Sequence, residues 1–75
     1  MLCSNLEQIR KASTEGYAIP AINTQGGNYD IIRAICEAAE EMRSPVILAH
    51  YVATGAYSGH DWFVQVAKWC AETAF

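Results

Sequence analysis

The apolar residues of this chain follow two different spacings, and together they predict alternating strands and helices. Two runs are short and nearly all apolar, at about 17–22 and about 45–50, which favours strands buried on both faces. After each run, apolar residues recur every three or four positions, over about 28–43 and about 60–74. Each predicted strand is therefore followed by a predicted helix.

A further short helix is predicted ahead of the first strand. Ser4 begins an S-x-x-E capping box, which predicts a helix over about 4–14. Leu6 and Ile9 are expected to face inward, and Gly16 suits the C-terminal cap.

Polar and turn-forming residues separate these elements. Asn28 or Asp30 can begin the second helix, and Pro45 follows its end because the residue before proline disfavours the α region. A longer loop with two glycines is expected over 52–59.

The predicted order, helix-strand-helix-strand-helix, indicates an α/β fold in which residues 1–75 form a single partial domain. Two apolar strands joined by a helix predict a parallel pair. Two strands and three helices cannot cover both faces of such a sheet or pair both of its edges. The sequence therefore predicts that another chain supplies more strands or that the gene product is incomplete.

Composition and charge narrow the function classes. The 75 residues are 52% hydrophobic and 17% charged, with a net charge of −3. The five cations are scattered, which argues against nucleic acid as a partner. No apolar run approaches the roughly 20 residues of a membrane span. Three widely spaced cysteines without a CxxC pair argue against a disulfide framework and favour a reducing, cytoplasmic location.

Three stretches carry a family resemblance. GYAIPAIN at 16–23, AICEAAEEMRSPVIL at 34–48 and AYSG at 56–59 stand in the same order as similar stretches of class II ketose-bisphosphate aldolases, the fructose- and tagatose-bisphosphate type. The resemblance covers almost all of residues 3–75. It implies that the chain is the N-terminal βαβα portion, with a preceding cap helix, of a TIM (β/α)₈ barrel.

The same resemblance implies an aldehyde-lyase of glycolysis and carbohydrate metabolism. The family reversibly cleaves a ketose 1,6-bisphosphate into dihydroxyacetone phosphate and an aldehyde, and its zinc ion polarises the ketone and stabilises the enediolate. The metal ligands and the acid that moves the proton lie from the third strand onward. We therefore expect no catalytic residue and no metal ligand in this chain, and no activity from it alone. The alternative is a non-catalytic βαβ interaction or self-assembly module, which would pair with copies of itself, as a homo-oligomer, or with a complementary fragment.

Two residues are candidates for contact with a phosphorylated sugar. Asn23 ends the first strand, where barrel active sites are built, and it matches an asparagine of the family. Its alternative role is to cap the loop by bonding local backbone. Tyr51 follows the second strand where many family members have serine or threonine, and its alternative role is a ring packed over the strand ends.

The remaining polar and aromatic residues suggest structural roles. His50 and His60 are ten residues apart, and Asp61 is the only neighbouring Cys, Asp or Glu at ligand spacing. We therefore expect a hydrogen-bonded histidine at a strand end and a histidine at a helix start. The glycine pair 26–27 is weak evidence for a phosphate site. Trp62 and Trp69 are expected in a core.

Overall fold

The structure is a computed structural model that describes residues 2–73. Within this range the chain forms two short strands and four helices. In chain order they are α1 (Asn5–Glu15), β1 (Ala21–Asn23), α2 (Tyr29–Met42), β2 (Ile47–Ala49), α3 (Val52–Ser58) and α4 (His60–Glu72).

The two strands form a parallel pair joined by α2. Ala21 lies opposite Ile47, and Asn23 lies opposite Ala49. Each strand has three residues, whereas the sequence predicts about six, at 17–22 and 45–50. Pro20 has no N–H to donate, but its carbonyl oxygen accepts from the Ile47 amide at 2.9 Å. The result is a small α/β arrangement of two parallel strands and four helices across residues 2–73.

The core lies where α2 packs on α4. Ile32 of α2 and Val66 and Cys70 of α4 are buried, and they are joined by partly buried apolar side chains from α2, β2 and α4, namely Cys36, Leu48 and Phe63. Apart from Leu48 of β2, these side chains belong to the two helices that the sequence predicts over about 28–43 and about 60–74.

The ends of α1 and α2 follow local signals. Gly16 adopts a left-handed conformation at φ 77° and its amide donates to the Ala12 carbonyl. Asn28 caps α2, since its side chain accepts from the Ile31 amide at 3.2 Å. Ser4 occupies the N-cap of α1 but its side chain makes no capping hydrogen bond.

The predicted inward orientation of α1 is wrong for the described chain. Leu6 is 60% exposed and Ile9 is 51% exposed, and Ala12 is the only residue that α1 buries within residues 2–73. The apolar side of α1 is therefore uncovered in this part of the chain.

The tryptophans also depart from their predicted core positions. Trp62 is 52% exposed and Trp69 is 56% exposed. Trp62 does anchor α4, because its indole N–H donates to the Gly27 carbonyl oxygen at 2.9 Å. Residues 2–73 provide too little structure to cover either ring fully.

The predicted loop over 52–59 is wrong, because α3 occupies most of it. The Gly55 amide donates to the Tyr51 carbonyl at 2.8 Å, and the Gly59 amide donates to the Gly55 carbonyl at 2.7 Å. Gly59 ends α3 at φ 100°, and α4 begins at the next residue, His60. The predicted end of this last helix, residue 74, lies outside the described residues.

None of the helices in residues 2–73 has the length and apolar character needed to cross a membrane.

Candidate functional site

The C-terminal ends of β1 and β2 meet at one edge, because the strands are parallel. Asn23 is the last residue of β1, and Tyr51 lies two residues beyond Ala49, the last residue of β2. The structure thus places both predicted site residues at the same end of the sheet. In parallel α/β folds this end carries the ligand site.

Asn23 is exposed and makes a local backbone bond. Its Oδ1 accepts from the Gln25 amide at 2.8 Å, which forms an Asx-type turn. This is the cap that the sequence offers as one role for Asn23. The bond also fixes the carboxamide, whose amino group is a donor suited to a carbonyl or phosphate oxygen.

Tyr51 begins α3 and exposes its ring. Its carbonyl oxygen accepts from the Gly55 amide and from the Thr54 hydroxyl, at 2.8 Å and 3.2 Å. Tyr51 is 61% exposed, so the described residues cover less than half of it. The phenol is accessible at the edge where Asn23 lies.

Thr24 joins the two strand ends, and the sequence reading did not single it out. The residue is fully buried, and both its amide and its hydroxyl donate to the Ala49 carbonyl oxygen, at 3.1 Å and 3.0 Å. A threonine after a strand is a common loop residue, so only the register of β2 reveals its partner.

The loop after β1 passes close to α3 and α4. Gln25, Gly26 and Gly27 all have positive φ, at 54°, 74° and 87°. A Cβ at Gly26 would lie 2.6 Å from the Thr54 carbonyl oxygen, and one at Gly27 would lie 3.0 Å from the Phe63 Cα. The glycines therefore serve close backbone contact with the protein itself.

An open cleft of about 340 Å³ lies beside this loop, at the start of α2. Its walls include Gln25, Asn28 and Asp30, together with Ser58 and Trp62 from the α3–α4 region. The lining residues do not include Asn23 or Tyr51. A carboxylate in the wall and the absence of a cation disfavour a phosphate in this cleft.

His50 and His60 are in direct contact. The Nε2 atom of His50 lies 2.8 Å from the Nδ1 atom of His60, and the His50 ring stacks on Phe63 at 4.1 Å between centroids. The sequence predicts a hydrogen-bonded histidine at the strand end and a histidine at the helix start, and the structure has both. The sequence does not predict that the two histidines are hydrogen-bond partners of each other.

The described residues do not fit a zinc site. Nowhere in residues 2–73 do three or more His, Cys, Asp and Glu side chains come together as a metal would require. The two histidines form a pair only.

The two interior cysteines are structural. Burial raises the pKa of the Cys36 thiol, with the neighbouring Cys70 adding to the effect. Burial also raises the pKa of Cys70, and the positive charge of Arg33 partly opposes it. Both thiols lie in the α2–α4 contact, and a raised pKa keeps them protonated and unreactive at neutral pH.

The fold and the shared strand edge define an α/β protein with parallel βα units whose polar residues gather at the C-terminal end of the sheet. The family model for class-II fructose-bisphosphate aldolases matches residues 4–74. The chain therefore belongs to the class II fructose-bisphosphate aldolase family, a lyase family that is generally zinc-dependent.

Two curated relatives show the same kinship. The chain is 51% identical over 59 residues to a fructose-bisphosphate aldolase of Thermus caldophilus, covering 79% of this chain and 19% of that protein. It is 36% identical over 67 residues to a D-tagatose-1,6-bisphosphate aldolase subunit, GatY, of Klebsiella oxytoca, covering 89% of this chain and 23% of that protein. The chain thus spans about a fifth of the length of these relatives. No solved structure matches it.

Proposed function

We propose that residues 2–73 form the cap helix and first two βα units of a (β/α)₈ barrel belonging to a class II aldolase. The match to the family over residues 4–74 carries this proposal. The parallel register of β1 and β2 supports it, because barrel strands are parallel and place their ligand site at the C-terminal ends.

The complete barrel would reversibly cleave a ketose 1,6-bisphosphate into dihydroxyacetone phosphate and an aldehyde. The names of the two relatives, a fructose- and a tagatose-bisphosphate aldolase, support this substrate class. Within the present chain the proposed contribution is binding. The Asn23 amino group would donate to a substrate oxygen, and the Tyr51 hydroxyl would lie at the same edge. The location would be the cytoplasm.

The chain alone should be catalytically silent, because the described residues provide no metal-ligand set. A retro-aldol assay with fructose and tagatose 1,6-bisphosphates in the presence of zinc tests this directly. We expect no cleavage above buffer. Turnover by the purified chain would overturn the claim.

A chimera tests the positive part of the proposal. Residues 4–73 would replace the matching N-terminal segment of the Thermus caldophilus aldolase, to which the chain is 51% identical over 59 residues. We expect a folded enzyme that cleaves fructose 1,6-bisphosphate. A folded but inactive chimera would contradict the assignment of these residues as a working part of the barrel.

The role of Asn23 is tested in that active chimera. Asn23→Ala should lower kcat/KM at least about tenfold, the effect of losing one good hydrogen bond in the transition state. Asn5→Ala, at an exposed position of α1, removes the same group away from the strand ends and should change nothing. Equal activity of the two variants would assign Asn23 to the loop cap alone.

The exposed apolar residues favour a second candidate, a self-assembly module. Leu6, Ile9 and Ile22 are exposed, and β1 and β2 pair only with each other among the described residues. Such edges and faces attract further copies. Sedimentation of the purified chain distinguishes the candidates, since a defined dimer or tetramer favours the module and a monomer argues against it.

A further inference from the structure

The contact between His50 and His60 joins three segments that the sequence separates. His50 follows β2, His60 begins α4, and Gly55 of α3 lies against both rings. A Cβ at Gly55 would overlap the His50 ring and would lie 3.0 Å from His60 Nδ1. We call His50 and His60 the histidine clasp.

We propose that the histidine clasp is a pH-sensitive device that holds α3 in place while both imidazoles are neutral and releases α3 when the pair takes up a proton. The inference concerns the chain itself and does not depend on the proposed aldolase function. It rests on which nitrogen atoms can carry a proton in the observed geometry.

The neutral clasp has one favourable arrangement of protons. His50 Nδ1 is buried and has no hydrogen-bond partner within residues 2–73. A buried N–H without an acceptor is rarer than an acceptor without a donor, so the proton of His50 belongs on Nε2. That N–H donates to His60 Nδ1 across the 2.8 Å contact, and His60 carries its own proton on Nε2.

An added proton has no good place in this arrangement. On His50 Nδ1 it would create a charged, buried N–H without an acceptor. On His60 Nδ1 it would put two N–H groups face to face, which breaks the bond. If His50 changed tautomer to restore the bond, its Nδ1–H would again be buried without a partner. Every protonated form therefore weakens the clasp.

The surrounding elements supply little compensating charge. Asp61 follows His60 in α4 but is exposed, so solvent screens it. His60 is the first residue of α4, where the helix dipole disfavours a cation. The sole titratable side chain of α3 is the exposed Tyr57, β2 has none, and Tyr51 after β2 is exposed.

A metal ion is a poorer occupant of the same geometry. For both facing nitrogens to bind a metal, His50 would have to carry its proton on Nδ1. Metal-bound histidines almost always donate that second N–H to a partner, and His50 Nδ1 has none among residues 2–73.

Release of α3 would also affect the loop at the candidate site. The carbonyl of Thr54 in α3 lies against Gly26 so closely that a Cβ there would overlap it. Gly26 follows Gln25, whose amide holds the Asn23 side chain. Opening of the clasp would therefore loosen the loop that orients Asn23.

Hydrogen exchange of the chain at pH 7.5 and pH 5.5 tests the proposal. The α3 hydrogen bonds can be followed through the Gly55 and Gly59 amides, and the Ile32 amide of α2 is the internal reference. Because the open form binds more protons, acid favours it. Imidazole ordinarily titrates near pH 6.5, so the protection factors of Gly55 and Gly59 should fall about tenfold while that of Ile32 changes less.

A double variant provides the matched control. In His50→Gln with His60→Asn, an amide N–H and a carbonyl oxygen replace the facing nitrogens and cannot titrate. The chain has only two histidines, so this variant should lose the pH response of α3. An equal response in the double variant would overturn the proposal, as would unchanged protection in the wild type.

A measurement on the unsubstituted chain tests the proposal even if the double variant fails to fold. Nitrogen NMR of the imidazole rings at pH 7.5 should show His50 with its proton on Nε2 and Nδ1 bare. A proton on His50 Nδ1 would contradict the clasp. So would an unfolded chain in which the two rings titrate independently of each other.

Discussion

Thr24 donates two hydrogen bonds to a single acceptor, the carbonyl oxygen of Ala49, one from its amide at 3.1 Å and one from its hydroxyl at 3.0 Å. Ala49 ends β2, and Thr24 directly follows β1. The amide bond is the last hydrogen bond of the parallel ladder that pairs Asn23 with Ala49, and the hydroxyl adds a second bond to the same acceptor. This double contact fixes the strand ends at which the candidate site lies.

Removal of the Thr24 hydroxyl should destabilise the chain. Thr24→Val keeps the shape of the side chain but replaces the hydroxyl by a methyl group, so the hydroxyl hydrogen bond is lost. We therefore expect the free energy of unfolding to fall by about 1–2 kcal/mol. Thr24→Ser keeps the hydroxyl and should lose less. Urea unfolding of the two variants checks this, and a Val variant as stable as wild type would show that the second bond is dispensable.

Substitutions at two glycines with positive φ can distinguish the cost of backbone strain from the cost of close packing. Gly16, at φ 77°, has open space around its Cβ position, whereas a Cβ at Gly27, at φ 87°, would press on the Phe63 backbone at 3.0 Å. Gly16→Ala should cost about 1–2 kcal/mol, the ordinary penalty of the left-handed region. Gly27→Ala should cost about 1–3 kcal/mol more, because overpacking adds to the strain. Equal losses in thermal or urea unfolding would mean that the loop moves freely away from α4.

The sequence predicts best those features that depend on interactions between residues close together in the chain. The cap of α2 at Asn28 and the end of α1 at Gly16 depend on bonds that reach only three or four residues. The parallel pairing of β1 and β2 follows from two apolar runs joined by a helix, and it brings Asn23 and Tyr51 to one edge. The orientation of Leu6 could not be predicted, because it depends on what covers α1.

The contacts that complete the candidate site are not local. Gly55 and Gly59 suggested a loop because each glycine disfavours a helix by about 1 kcal/mol. In the structure, the missing Cβ of Gly55 instead leaves room for the two histidine rings. A pattern of residues does not show that α3 turns the chain so that His60 meets His50. The Thr24–Ala49 bond likewise depends on strand register.

Gly55→Ala should change stability in the direction opposite to helix propensity. Alanine favours a helix over glycine by about 1 kcal/mol, so an α3 without close neighbours would become more stable. The Cβ would overlap the His50 ring, and we therefore expect a net loss of about 1–3 kcal/mol in the free energy of unfolding.

The matched control is Ala53→Gly, at an exposed position of the same helix, which should lose about 1 kcal/mol through propensity alone. Urea unfolding measures both variants. A gain in stability from Gly55→Ala would show that the histidine rings do not pack against α3.

Alkaline pH should destabilise the α2–α4 contact through Cys70. Burial raises the pKa of the Cys70 thiol above its ordinary value of 9.0, and the positive charge of Arg33 opposes this in part. Because the pKa is raised in the folded chain, the contribution to stability is complete below pH 9 and is lost as the pH rises through the folded pKa. The free energy of unfolding should therefore fall as the pH rises above 9, by at most about 1.4 kcal/mol per pH unit for one thiol. Cys70→Ala should be less stable at every pH but should show a shallower alkaline decline, whereas Cys3→Ala, at an exposed position, should keep the wild-type slope. An identical decline in Cys70→Ala would assign the alkaline loss to other groups, such as tyrosines and lysines, rather than to the buried thiol.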